Sequence, residues 1–214
     1  EIPMAQPFDA SRWSRKEIFD FFSTMSNPYY MVSFRQDVTR VYAYAKENCL
    51  SFYHSLIYLC TRAINRLPAF LLTIRQGNLF RLDSRAPSFT DLRRGSEAFH
   101  IVTLPCRGSI AEFDAAATAK SKAQQVFLES AAESDALIYF SCLPWVDLTA
   151  VTNERDLAAP GSRDESIPHI TWGKYIRSGN RLELGISLEV NHRLIDGFHI
   201  GQFAEALTAG IEAL

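Results

Sequence analysis

No stretch of the 214 residues reaches the roughly 18 consecutive apolar positions that a bilayer span requires. The amino end also has no charged leader followed by an apolar segment, so the expectation is a cytoplasmic protein without a membrane partner. Long basic runs are missing as well. Lys and Arg number 22 against 24 Asp and Glu, a formal net charge of -2, and nucleic acid is therefore not expected as a partner. Cysteine is sparse: Cys49, Cys60, Cys106 and Cys142 are widely spaced, form no C-x-x-C pair and lie in apolar surroundings, which points to buried free thiols rather than metal or disulfide chemistry. There is no internal repeat, low-complexity block or linker. A single domain over residues 1–214, with a substantial core, fits that pattern.

What is present reads as alternating helix and strand signals. Ser14, with Glu17 three residues on, fits a capping box for a helix from about Arg15 to Met25, its buried side crowded by Ile18, Phe19, Phe21 and Phe22. YYMVSFRQDV from Tyr29 is rich in strand formers, and TRVYAYAKENC returns to a helical pattern. Residues 52–66 are apolar at helical spacing on more than one side, which predicts a core helix backing a sheet. Gly77-Asn78 between two apolar runs signals a hairpin, and the Ala-rich stretch from Ser109 predicts a long helix. DALIYFSCLPWVDL is a buried strand running into Pro144, followed by a polar loop over residues 149–166. The remainder reads as a hairpin turning at Ser178-Gly179-Asn180 and a closing helix with Phe198, Phe203, Leu207 and Ile211 near helical phase. Helices do not alternate one for one with strands. The predicted fold is therefore α/β, a two-layer sandwich of helices on a mixed β-sheet.

In the last strand, Leu182, Leu184, Ile186, Leu188 and Val190 share one face, and His192 falls in the same apolar phase. Two readings stand at this point. A core histidine bonded to backbone would satisfy the pattern; so would a general base, because a neutral imidazole with a reference pKa of about 6.5 is ready to accept a proton at working pH. Asp196, just before Gly197 and a helix, has a capping role available, which leaves His192 unexplained. A metal site pairing His192 with His199 lacks further ligands at suitable spacing, and none is expected.

The run Asn191-His192-Arg193-Leu194-Ile195-Asp196-Gly197-Phe198-His199 resembles the H-H-x-x-x-D-G-F-H motif of the trimeric chloramphenicol acetyltransferases, with only the first histidine replaced. Three further stretches are similar and in order: RWSRKEIFDFF, SCLPWVDL and ITWGKY. The resemblance implies the coenzyme A-dependent acyltransferase fold, acetyl-CoA as cosubstrate without a metal, a small-molecule alcohol acceptor, and a homotrimer with active sites between subunits. It implies that His192 is the general base, that Asp196 pairs with Arg15 to hold the local backbone, and that Ser141 donates to the developing oxyanion. It further implies that Thr171, Lys174 and Tyr175 serve the cosubstrate, and that Phe21, Phe22 and Tyr139 lie at the acceptor. Trp13 and Trp145 read instead as packing residues.

The departures fall mainly on the acceptor side. Phe22 and Tyr139 stand where chloramphenicol-modifying members tend to have tyrosine and asparagine, and the polar TAVTNERDLAAPGSRDES run replaces an aromatic-bearing segment. Such a loop either admits a more hydroxylated acceptor or lies outside the pocket. Ser51 replaces a lysine used near the coenzyme A phosphate.

Overall fold

The run of alternating residues before His192 forms the longest strand of a mixed sheet. The computed structural model describes residues 5–93 and 95–214. In chain order the elements are β1 (Ala5–Pro7), α1 (Lys16–Ser23), β2 (Tyr29–Asp37), α2 (Thr39–Glu47), α3 (Phe52–Ile64), β3 (Leu72–Arg75), β4 (Asn78–Leu82) and β5 (Ala86–Leu92). They continue with β6 (Phe99–Thr103), α4 (Ile110–Ala123), β7 (Leu137–Leu143), β8 (His169–Gly173), β9 (Ile176–Ser178), β10 (Arg181–Asn191) and α5 (Gly197–Glu212). The main sheet runs β2-β10-β8-β7-β5-β6, with β9 beside β10, and a small sheet runs β1-β4-β3. β7 is parallel to both β5 and β8, while the other pairings in the main sheet are antiparallel.

Period-two alternation gives the sheet two unlike faces. Ile138, Phe140, Ile170, Trp172, Ile186 and Leu188 point to the helix layer, where Leu56, Ile57, Cys60 and Ile64 make α3 the buried helix its sequence predicts. On the opposite face, Ser141, Thr171, Ser187 and Ser33 stand in one register row. Glu189, His169 and Tyr139 stand in the next. The chain after β7 crosses this polar face closely. A Cβ on Gly185 would overlap the Leu148 carbonyl oxygen, and one on Gly173 would overlap the Leu148 side chain. Lys174 N–H donates to Val146 O at 2.7 Å, and Val151 N–H to Ser187 Oγ at 3.2 Å.

Several local expectations are corrected. The capping box at Ser14 does not form: the N-cap of α1 is Arg15, without a side-chain cap bond, which puts Glu17 one position too early to complete the box. Only Phe19 of α1 is buried, while Ile18 and Phe21 are 39% and 58% exposed. Phe198 is 72% and Trp145 69% exposed, so neither packs in a core of this chain. Cys49 is exposed, Cys60 buried and the other two thiols lie between. The long helix from Ser109 has its capping box with Glu112 but stops at Ala123, because Gln124 turns extended and gives its side-chain amide to Ile101 O and Val126 O. β5 and β6 are strands the sequence reading does not contain.

Candidate active site

His192 follows directly on the last residue of β10, and its surroundings are built by residues that fix the turn. Its N–H donates to Pro28 O at 2.8 Å. Asn191, buried, spends its amide on Arg163 O and Glu165 O, both at 3.0 Å, and accepts from Arg193 N–H at 3.1 Å. The residue that stands in place of the motif's first histidine is thus a clamp between the turn and the loop before β8. Arg193 adds to it through Ser23 Oγ at 2.9 Å and Asp164 Oδ1 at 2.8 Å. The imidazole lies stacked between Phe22 and Tyr30, each ring centroid 3.9 Å away. Burial holds the His192 pKa below its ordinary value, Arg15 pushing the same way and Asp196 opposing. The ring is therefore neutral at neutral pH.

Asp196 caps α5, accepting from Phe198 N–H at 3.0 Å, while its own N–H donates to His199 Nδ1 at 3.1 Å to complete a capping box. Its other carboxylate oxygen takes Arg15 Nη1 in an ion pair. Burial raises the Asp196 pKa, but the bond and charge of Arg15, with His199 and the Phe198 amide, outweigh it and hold the group ionised. Three polar atoms nearby, Arg15 Nε and Nη2 and the Tyr30 hydroxyl, are buried without a hydrogen-bond partner among the described residues. Burial and the Asp196 charge push the Tyr30 phenol up to about 12, although Arg15 opposes.

Ser141 lies elsewhere, on the wall of a cavity of about 680 Å³ that Lys174 and Tyr175 also line. Thr171 faces Ser141 in register and is buried. Lys174 is exposed, and Tyr175 packs on Tyr42 and Phe52 with centroids 5.2 and 5.9 Å away. Ser51, also in the wall, accepts from His54 N–H at 3.2 Å as the N-cap of α3. His192 is not part of this cavity. Strand rise and spacing put it roughly 20 Å from Ser141 within the chain, five residues along β10 from Ser187 and two strands across.

The three expected acceptor residues are likewise divided. Phe21 and Phe22 are at the His192 end, whereas Tyr139 donates to Glu133 Oε2 at 2.9 Å and meets His169 edge-on at 5.0 Å. The polar loop 149–166 stays outside the Ser141 cavity. Arg155 lies 3.5 Å over the Tyr29 ring, pairs with Glu189 and bonds Glu165 Oε1 at 2.9 Å, so this loop arginine is directed to the polar sheet face. Sequence reading misses Asn191, Arg193 and Arg155 because their partners are distant along the chain; the one legible signal was the Asn191 substitution itself. Among the described residues no group of three or more His, Cys, Asp or Glu is placed to hold a metal ion, and no helix is long and apolar enough to cross a membrane.

The family model for chloramphenicol acetyltransferase matches residues 5–208. Chloramphenicol acetyltransferase 3 of Escherichia coli is 27% identical over 203 residues, covering 94% of this chain and 93% of the relative. A chloramphenicol acetyltransferase of Bacillus pumilus is 28% identical over 204 residues, covering 92% and 90%. A solved chloramphenicol acetyltransferase superposes with a TM-score of 0.85 at 23% identity, covering 97% of this chain and all of the other. A dihydrolipoamide acetyltransferase of Azotobacter vinelandii shares the fold at a TM-score of 0.67 and 19% identity, covering 98% and 97%.

Proposed function

The chain belongs to the chloramphenicol acetyltransferase family and is an acyltransferase, and from that premise we propose that it moves the acetyl group of acetyl-CoA to a hydroxyl of a small molecule, chloramphenicol foremost. His192 takes the proton of the acceptor hydroxyl as the oxygen attacks the thioester carbonyl. Ser141 donates to the oxyanion that forms, and collapse expels the coenzyme A thiolate, which takes the proton back from His192. Removal of one such donor typically costs about 2.7–4 kcal/mol of transition-state stabilisation. Arg15 and Asp196 hold the turn that carries the imidazole and do not relay its proton.

The observation that carries this reading is the His192 ring itself, kept neutral by burial and clamped between Phe22 and Tyr30 next to the Arg15–Asp196 pair. The separation of His192 from Ser141 within one chain, and the exposed apolar side chains of Ile18, Phe21 and Phe198, support a homotrimer in which each active site joins the base of one subunit to the serine of the next. The cavity beside Ser141 fits the cosubstrate, with Lys174 for phosphate and Tyr175 for the base; Thr171, beside Ser141 in register though not in the cavity wall, is assigned to place a water. Ser51, occupied as a helix cap, adds no charge there. In this account residues 1–214 form one domain of a cytoplasmic protein that needs no metal and no nucleic acid.

The test is thiol release from acetyl-CoA with chloramphenicol, repeated with His192→Ala. A loss of roughly 10²–10⁴-fold is expected, and undiminished turnover in the variant overturns the base assignment. The departures at Phe22, Tyr139 and the polar loop favour a second acceptor class, another hydroxylated small molecule. The remaining alternative is a non-catalytic trimer that binds coenzyme A in the Ser141 cavity. Calorimetric binding of coenzyme A without turnover on a broad alcohol panel would support that scaffold.

A further inference from the structure

The cavity beside Ser141 extends from it in one direction along the sheet. β5, β7 and β8 run parallel, and the residues that they give to its wall begin at Thr90, Ser141 and Trp172 and continue only toward the strand C-termini. With the cosubstrate in that cavity, the alcohol reaches Ser141 from the side of the strand N-termini. There the next side chains of the same face are Ser88, Tyr139 and His169, one register row from Ser141 and roughly 7 Å along the strands.

Ser88 is buried and accepts from Thr103 Oγ1 at 2.8 Å, which leaves Tyr139 and His169, both half-buried, to meet a ligand. Their hydrogens are already committed. The Tyr139 hydroxyl donates to Glu133 Oε2 at 2.9 Å. Burial, followed by the bond to and charge of Glu133 and the charge of Glu165, pushes the Tyr139 phenol up, so that it keeps its proton at neutral pH. His169 Nε2 lies 3.0 Å from Glu165 Oε1. An ionised carboxylate only accepts, so the hydrogen of a neutral His169 ring is on Nε2 and Nδ1 carries the lone pair. Glu133 is exposed, and its Oε1 is open to a ligand while Oε2 holds the phenol. Arg155, the arginine on this face, is divided between Glu165 and Glu189. The side from which the alcohol comes thus presents lone pairs on Glu133, Tyr139 and His169, and none of the three has a hydrogen left to give. A ligand group that brings a hydrogen gains a bond to a carboxylate there, whereas one that has only lone pairs is left unpaired.

We propose that Glu133 is a specificity-determining residue that selects an alcohol carrying a second hydrogen-bond donor, an amine or a further hydroxyl, at the end away from the reacting oxygen, with Tyr139 as the residue that positions it. This rests on the acetyl-transfer reading above and names the kind of hydroxylated acceptor that it uses.

Chloramphenicol and the amine made by reducing its aromatic nitro group share one skeleton, are both uncharged at neutral pH, and differ at the end opposite the terminal hydroxyl. The nitro group has only lone pairs; the amine has N–H. Thiol release from acetyl-CoA with each, on the full chain, therefore reads the preference directly. For the wild type, kcat/KM is expected to be about tenfold higher for the amine, the worth of one hydrogen bond to a charged group. Glu133→Gln should bring the ratio near one, chiefly through KM, because an amide can donate to the nitro group as well as accept from the amine. Tyr139→Phe, which frees the carboxylate without removing it, should reduce the ratio by a smaller factor. Both compounds are measured on the same preparation, so any loss of folded protein cancels from the ratio. Equal use of the two by the wild type, a preference for the nitro compound, turnover of neither, or a ratio that survives Glu133→Gln overturns the inference. Acetyl transfer falls with it only if no alcohol at all releases thiol.

Discussion

Arg85 and Arg15 are both largely withdrawn from water, and they are held in opposite ways. Arg85 has no carboxylate bonded to it among the described residues; its guanidinium donates to the carbonyls of Phe70, Leu72, Asp135, Leu137 and Ser166, joining the segments that flank β3, β7 and β8. Burial lowers its pKa to about 10, with Asp135 opposing, so it stays charged at neutral pH. Arg15 instead spends one nitrogen on Asp196 and leaves two buried without a partner among the described residues. The scaffold arginine is saturated by backbone, whereas the arginine beside the imidazole is under-satisfied. Incomplete hydrogen bonding beside His192 is what a site built to meet something else would show.

That contrast can be broken most severely at Arg85. Arg85→Met should lower stability by about 4 kcal/mol or more, because five carbonyls, four of them in buried bonds, lose their donor together. A urea midpoint measures this, and activity per folded molecule should be unchanged. Asp196→Asn should do the reverse. Asparagine still caps a helix, so the stability loss should stay near about 1 kcal/mol, while kcat should fall roughly 10–100-fold as the support of the base is weakened. A variant that loses stability and activity in the opposite proportions would erase the distinction between the two arginines.

The smallest effect is in the pH dependence. Folding lowers the pKa of His192 and of His199, chiefly through burial. As pH falls below the unfolded value of about 6.5, the unfolded chain takes up protons first. The stability tied to these two rings is thus complete above that value and is lost as pH drops through their folded values. Activity should persist below about pH 6.5, because the folded ring takes its proton at lower pH than a free imidazole, and decline only as His192 protonates there. Because Asp196 raises the His192 pKa, the acid limb of kcat/KM should move to lower pH in Asp196→Asn; a limb that stays in place would mean that another group is titrating.

Much of this was legible in the sequence where the signal is local. β10 follows from strict alternation, α3 from apolar residues all round, and α5 from Asp196 as its cap. β5 was not legible, since Pro87 and Asp91 interrupt its apolar pattern, and β6 carries His100 in a buried position that only Ser121 and Asp91 make tolerable. The motif marked His192, Asp196 and Ser141. It did not reveal Phe22 and Tyr30 as the walls of the imidazole, nor that loop 149–166 would tie its charges to Glu189, Tyr29 and Ser23, because those partners are set by the tertiary fold.

The bare α-carbons of Gly173 and Gly185 let the chain around Leu148 lie flush on the polar sheet face. One added methyl at position 185 would act as a wedge under that strap. Lifting Leu148 would tug Trp145, three residues upstream, out of the cavity wall. The width of the cavity beside Ser141 is therefore governed in part by the thickness of a single hydrogen atom on a strand that contributes no residue to its wall.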